Sequence, residues 1–539
     1  MRGVALWALC SALVACERSN PAYCDGVFFF CGQRKRCDLA TRSCVDVSPG
    51  AAIDCERSAS CPEDLPLCDE QARVCRACAG GEDHRCAERN PRTPRCLASR
   101  CVECIAQQGR SHEVPECTRR QGGGLSVPVC DVTTNSCRPC RLHAECISGV
   151  CAKDDLSDAL GVPRGSCVPE DQVLVVDPSL CSATGPVFCT PRQAVERLDR
   201  QHRYVVFRRS AREEDFSEIE IGRFENQGLE LYLIGPLADG PPAAATTWPP
   251  VEIGAPGRRG FIVHRKSRVT LEGFLIHRAS VGIQCYGDGP GTLTQVRVLR
   301  SLISSNTVGL SIHNECWLTL EQSWVGRGPQ GGPLRTLSGN ELAVDITRSD
   351  FTIRNVVFTD NGDIGRDRFG GIRITGGLGG GREGKRISSV INSTFYGHNA
   401  WVTLDGARYT AIVCDSPVGG RLAVVNTLFF QDPRQPLYER YVAASCGGQI
   451  WHAASDDPTL VGNMSVVFPR TELPGFRDAG ARDFHIGRAA GASALWRRVQ
   501  DGGLVRLDQL GLRAPEEDMD GAPRARPDQV SIGAYEVEP

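Results

Sequence analysis

Six nine-residue phrases decide how this chain reads: LEGFLIHRA from Leu271, VLRSLISSN from Val298, LEQSWVGRG from Leu320, IRNVVFTDN from Ile353, INSTFYGHN from Ile391 and VVNTLFFQD from Val424. Their starts lie 22 to 38 residues apart, a self-similarity at solenoid-like period. Apolar residues hold the first, fifth and sixth positions; the fifth reads Leu275, Leu302, Trp324, Val357, Phe395 and Leu428. The ninth reads Ala279, Asn306, Gly328, Asn361, Asn399 and Asp432, mostly residues that tolerate a left-handed backbone, so a sharp corner is expected there. After each corner a second short strand is expected: GIQC at Gly282, GLSIH at Gly309, ELAVDI at Glu341, GIRIT at Gly371 and WVTL at Trp401. Their period of two puts Leu310/Ile312, Val344/Ile346, Ile372/Ile374 and Val402/Leu404 on one face and polar residues on the other.

Strand, corner, strand and loop, repeated with a rung of this size, describe the coils of a parallel β-helix. Each coil leaves its strand edges and apolar interior open until the next stacks on it. An α-solenoid would need apolar periods near 3.6 over 10–15 residues, which these β-branched, Gly-punctuated segments lack.

The rest of the chain divides by composition. Residues 1–16, MRGVALWALCSALVAC, carry Arg2 and then a short apolar run, too short to span a bilayer. Leu13-Val14-Ala15-Cys16 resembles a bacterial lipobox, which implies cleavage before Cys16, lipid attachment to its thiol and a membrane-anchored, exported protein in the cell envelope, at the outer membrane or cell surface. Residues 17–169 are a Cys-rich stalk, with five four-cysteine units beginning at Cys24, Cys55, Cys78, Cys104 and Cys140. Their closing phrases, such as CDLATRSC and CDEQARVC, look like tight hairpins or turn tips. Zinc is the alternative that C-x2-C pairs raise, but the pairs fall at unit joints and the exported address favours disulfides. Four cysteines allow three connectivities, and spacing does not choose among them.

Residues 170–455 form the β-helix, opened by a capping helix from Pro191 to Gln201 that buries Ala194, Val195 and Leu198; residues 456–539 form its last coils and cap. Thr190-Pro191-Arg192-Gln193 has the pattern of a capping box with Pro at the first helical position. Cys181 with Cys189, Cys285 with Cys316, and Cys414 with Cys446 are the expected pairs outside the stalk.

From about Val173 onward the chain resembles exported bacterial right-handed parallel β-helix proteins of the pectin-lyase-like superfamily. The opening VLVVDP…GPVFCTPRQAVERL, the nonamers ending in Asn, and a tail with DMDGAPRARPDQVSIGAYE from Asp518 carry the likeness. It implies an all-β, right-handed solenoid behind a disulfide-rich tandem-module region. It does not imply one activity, because that superfamily hosts lyases, hydrolases, epimerases and non-catalytic adhesins.

The outward residues of the second strands form an expected ligand face: Gln284, Ser311, His313, Asp345, Arg373, Thr403 and Asp405. The loop from Asp360 to Arg368 adds Asp363 and Asp367, so the catalytic candidates are Asp345, Asp363, Asp367 and Arg373, without a tight acid pair among them. His277, His313 and His398 fall at different positions of different coils and indicate no metal triad; His398 reads as a turn residue. Asp518-Met519-Asp520-Gly521 resembles the start of a calcium loop, but Pro523, Arg524 and Arg526 replace the later ligands, so a capping turn is expected, no cofactor is assigned and calcium is only a weak alternative. A net charge of −3 gives no reason to expect nucleic acid. The reading that results is a membrane-tethered, non-catalytic binding, adhesion or scaffold protein for a polysaccharide or protein ligand. The alternative is a lyase or hydrolase acting on acidic glycans.

Overall fold

The computed structural model describes residues 35–38 and 43–46, most of 55–455, and short pieces at 466–467, 476–478, 483–486 and between 510 and 519. Cys16, Cys181, Asp363, Asp367, Thr403 and Asp405 lie outside the described residues. The chain divides into two compact units at Cys167/Val168, apart from the short segments 142–144 and 148–150, which group with the second. No helix among the described residues is long and apolar enough to cross a membrane.

In the first unit each closing phrase is an antiparallel hairpin, and its two cysteines face each other: Cys37↔Cys44, Cys68↔Cys75, Cys96↔Cys101 and Cys130↔Cys137. They are not bonded to each other in the modules where the bonds are described. The connectivity is first-to-third and second-to-fourth: Cys55–Cys68 with Cys61–Cys75, Cys78–Cys96 with Cys86–Cys101, Cys104–Cys130 with Cys117–Cys137, and Cys140–Cys151 with Cys146–Cys167. The sulfurs crowd closely enough to offer metal-like trios, but all are oxidised in these pairs. Asp at the second position of the phrase makes the turn. Asp69 Oδ1 accepts from the Gln71 and Ala72 N–H groups at 3.0 Å, and Asp131 Oδ1 from Thr133 and Thr134 at 2.9 and 3.1 Å. Arg73 and Asn135 then close the two turns in the left-handed region. CLASRC is two residues shorter, lacks the Asp, and turns through left-handed Ala98 and Ser99. In the module from Cys55 to Cys75 the core is the four half-cystines with Leu65 against them, so the crosslinks replace an apolar core.

The second unit is the expected right-handed parallel β-helix, but with three sheets rather than two strands per turn. Sheet I has eleven strands, including Arg268–Glu272, Thr294–Leu299, Cys316–Glu321, Asp350–Arg354, Ser388–Ile391 and Leu422–Val425. Sheet II includes Leu275–His277, Leu302–Ser304, Trp324–Gly326, Val357–Thr359, Thr394–Tyr396 and Leu428–Phe430. Sheet III includes Arg259–Val263, Val281–Tyr286, Val308–His313, Leu342–Thr347, Ile372–Thr375 and Arg408–Cys414. Each nonamer is therefore two strands, not one, and it bends in the middle. The bend is the third position: Gly273, Arg300, Gln322, Asn355, Asn392 and Asn426 all have positive φ, between 45° and 77°.

Two expectations change with this. The fifth phrase is in register from Val390, not Ile391, because Ile353 pairs with Val390 and Val390 with Val424. That shift of one residue aligns Phe358, Phe395 and Phe429 in the interior of sheet II, with ring centroids 4.5 and 5.1 Å apart. The ninth position, in turn, is not the left-handed corner. Asn306 and Asn361 there, with Asn340 returning from an insertion and His398 in the corrected fifth phrase, form a buried ladder. The Asn340 Oδ1 accepts from the Asn306 backbone and side-chain N–H groups at 3.1 and 2.9 Å, and Asn361 Oδ1 does the same for Asn340 at 3.0 and 2.9 Å. His398 Nδ1 accepts from the Asn361 N–H at 3.3 Å.

The capping helix is Pro191–Glu196, shorter than expected, with the Thr190–Gln193 capping box formed. It buries Ala194 and Val195, and with Leu198 just beyond it joins the core cluster of the first coils. Of the tail, Leu510 and Leu512 pack against Ile391, Ala423 and Val425, while Glu517 meets Arg300, Gln322 and the Asn355 side chain. This part of the tail lies along the side of the coils at the bend between sheets I and II, rather than forming an end cap, and Asp518 is buried there.

Cys285 is joined to Cys316 and Cys414 to Cys446, all inside the core. Cys189 is disulfide-bonded. Replacing Cys285 and Cys316 together by Ala is expected to lower stability by about 3.7 kcal/mol, the chain-entropy value for a loop closed over 31 residues. Denaturant unfolding under non-reducing conditions measures this, and a loss under about 1 kcal/mol would show that the stacked coils hold the site without the crosslink.

Candidate functional site on sheet III

Over its middle rungs, from Val281–Tyr286 to Ile372–Thr375, sheet III places polar residues outward because the strands alternate, whereas Ile262 and Val413 of the flanking strands are apolar and buried. Ile283, Cys285, Leu310, Ile312, Val344, Ile346, Ile372 and Ile374 all belong to the core. The residues between them point the other way and stack by register. One column runs Glu220, Ile262, Gln284, Ser311, Asp345, Arg373 and Val413. A second contains Tyr286, His313, Thr347 and Thr375. Four of the expected face residues, Gln284, Ser311, Asp345 and Arg373, thus share one column, and His313 stands in the next. The rung after Ile372–Thr375 is Arg408–Cys414, and Trp401–Val402 turns back antiparallel on that strand, which removes these two residues from the series of parallel rungs. The loop candidates Asp363 and Asp367 lie outside the described residues.

Asp345 and Arg373 are cross-strand neighbours and hold each other by two hydrogen bonds, Nε to Oδ1 at 3.1 Å and Nη2 to Oδ2 at 3.0 Å. This pairing raises the Arg373 pKa despite its partial burial, with Asp415 adding to the effect. The forked geometry fixes both side chains and ties up both Asp345 oxygens. Ser311 Oγ and His313 Nε2 are 2.6 Å apart on one strand. Burial pushes the His313 imidazole below its ordinary value and the Arg373 charge adds to this, with Asp345 opposing them. At neutral pH this histidine is therefore uncharged, able to donate from one nitrogen and accept at the other.

Three rings form a stack that the sequence analysis did not single out. His264, Tyr286 and His313 lie one above another, with centroids 6.3 and 5.6 Å apart and interplanar angles of 20°. They form an aromatic strip beside the first column. The signal was present: Tyr286 is two residues beyond Gln284, as His313 is two beyond Ser311, and the period of two sends both outward. Thr375 Oγ1 donates to Asp415 Oδ2 at 2.9 Å at the far end of the face.

The buried His398 is not part of this site. Burial pushes its pKa down to about 3, with the Phe358 backbone opposing this. His277 pairs with Glu252 at 3.0 Å on sheet II, also away from this face.

No known protein family matches the chain, and no curated protein matches it. Among solved structures, the pectate lyase Pel9A aligns over 68% of this chain and 96% of its own, at 12% identity and a TM-score of 0.30. A likeness at that level adds nothing to the parallel three-sheet topology seen directly.

Proposed function

We propose that this chain is an exported, lipid-anchored protein whose β-helix binds an extended polysaccharide along the outer face of sheet III without cleaving it. The observation that carries the reading is the Asp345–Arg373 fork. It ends a run of four polar rungs, Gln284, Ser311, Asp345 and Arg373, across which a polymer could lie, yet it satisfies the only described acid and base among the catalytic candidates against each other. Both carboxylate oxygens are engaged by the guanidinium, and a side-chain pair fixed in this way suits hydroxyl recognition. The disulfides of both units support an oxidising, exported location. Attachment at Cys16 would place the protein in the cell envelope, with the four-cysteine modules as its stalk and no nucleic acid as partner.

The test is a binding screen of the full chain against polysaccharides, with new reducing ends and unsaturated products recorded in the same samples. Binding without products is expected. The double variant D345A/R373A, which preserves net charge, should weaken binding about tenfold or more and keep the β-helix folded. Wild-type affinity in that variant would remove the face from the reading.

A second reading, as a lyase or hydrolase, is favoured by one observation: the neutral His313 is hydrogen-bonded to the Ser311 hydroxyl and could take up a proton. Products that vanish in His313→Ala would establish it in place of the first. Silence in both assays would favour a protein partner.

A further inference from the structure

We infer that the sheet III face selects an uncharged, hydroxyl-rich glycan and rejects polyuronate. This rests on the polysaccharide-binding reading above and names the class of polymer it would take.

Gln284 is only 8% exposed, and its Oε1 has no hydrogen-bond partner. Its neighbours Ile283 and Cys285 are in the core, so alternation puts the Gln284 amide on the outer side, in register with Ser311. A buried acceptor without a donor is costly, and it persists most readily where a ligand supplies the donor. Two acids that alternate onto the same face add acceptors, Asp345 in the first column and Asp415 beyond Thr375. Among the described residues that alternate onto this face, Arg373 is the cation, and Asp345 already occupies it in a bidentate pair. His313 is uncharged near neutrality because of its burial.

A uronate carboxylate has only acceptors to offer. Along this face it would meet further acceptors, with the guanidinium already engaged. Sugar hydroxyls, by contrast, donate. A neutral glycan can present a hydroxyl to Gln284 Oε1 and others to the carboxylates, and an acid-bearing polymer is excluded by unpaired like charge.

The experiment measures binding of the full chain to uncharged polymers (a β-glucan, a xylan and a mannan) and to polygalacturonate, all at low salt so that charge repulsion is unscreened. At least one uncharged polymer should bind, and polygalacturonate should bind at least tenfold more weakly. Gln284→Met removes the acceptor at similar volume. It should weaken glycan binding about tenfold while the melting temperature stays level or rises, because an unpaired buried polar atom has been lost. A merely structural glutamine would do the reverse. Polygalacturonate binding tighter than the uncharged polymers would overturn the inference and leave the polysaccharide-binding reading standing. So would wild-type glycan affinity in Gln284→Met. If no polymer of either kind binds, the polysaccharide reading falls first and this inference with it.

Discussion

Asn340→Ala is expected to lower the stability of the β-helix by about 4 kcal/mol, the largest effect of any single substitution considered. Asn340 is fully buried and sits in the middle of the amide ladder. Its Oδ1 accepts two hydrogen bonds from Asn306, and its Nδ2 donates to the Ile303 carbonyl at 3.0 Å and to Asn361 Oδ1 at 2.9 Å. Truncation leaves the Asn306 backbone N–H and the Ile303 carbonyl without these partners in a site closed to water. Each stranded group costs about 1–3 kcal/mol, and the small cavity adds to that. Asn340→Asp should also destabilise, because it removes both Nδ2 donors and sets a carboxylate against Asn361 Oδ1. Urea unfolding followed by far-ultraviolet circular dichroism measures both. A loss below 1 kcal/mol in Asn340→Ala would mean that the coils hold their corners without the ladder.

The second large effect is a pH dependence set by His398. Its pKa in the folded protein is about 3 because the imidazole is buried among Phe358 and Phe395. In the unfolded chain it returns to about 6.5. Between these two values the unfolded state binds a proton that the folded state does not, so stability falls as pH drops. The slope is about 1.4 kcal/mol per pH unit, which amounts to about 4 kcal/mol by pH 3.5. The contribution is favourable above about pH 6.5 and is lost on acidification toward 3. His398→Asn is expected to remove this slope while supplying a neutral residue to the ladder below Asn361. The comparison is unfolding free energy against pH for the two proteins, since the carboxylates contribute equally to both. Parallel curves would show that His398 already titrates with water inside the folded coil.

The repeats carried much of the architecture in plain view. Apolar residues at fixed places in the nonamers, and strict alternation in GLSIH, ELAVDI and GIRIT, were enough to infer parallel coils and to choose the face that points outward. Gln284, Ser311, Asp345 and Arg373 were found that way because a period of two is a local property. His398 does lie in the turn that follows Tyr396, but its place in the buried ladder is not a local property. A turn histidine and a ladder histidine look alike in sequence, and only the Val390 register places it under Asn361. Trp401–Val402 reads as a further rung because nothing local distinguishes it from one; its antiparallel return onto Arg408 and Tyr409 is made by tertiary pairing.

By itself, then, the amino-acid sequence determined that this protein has a cysteine-stapled region and a β-solenoid, and which side chains share its outer face, because composition and periodicity act within a few residues. Which cysteines bond within the four-cysteine modules, where each nonamer bends, and which polar groups meet were decided by the tertiary structure. The module bonds close over 11 to 26 residues, and the amide ladder of the coils over 21 to 37. In the stacked coils, closing one strand upon the next selects the partner that a buried amide, a guanidinium or a sulfur must find.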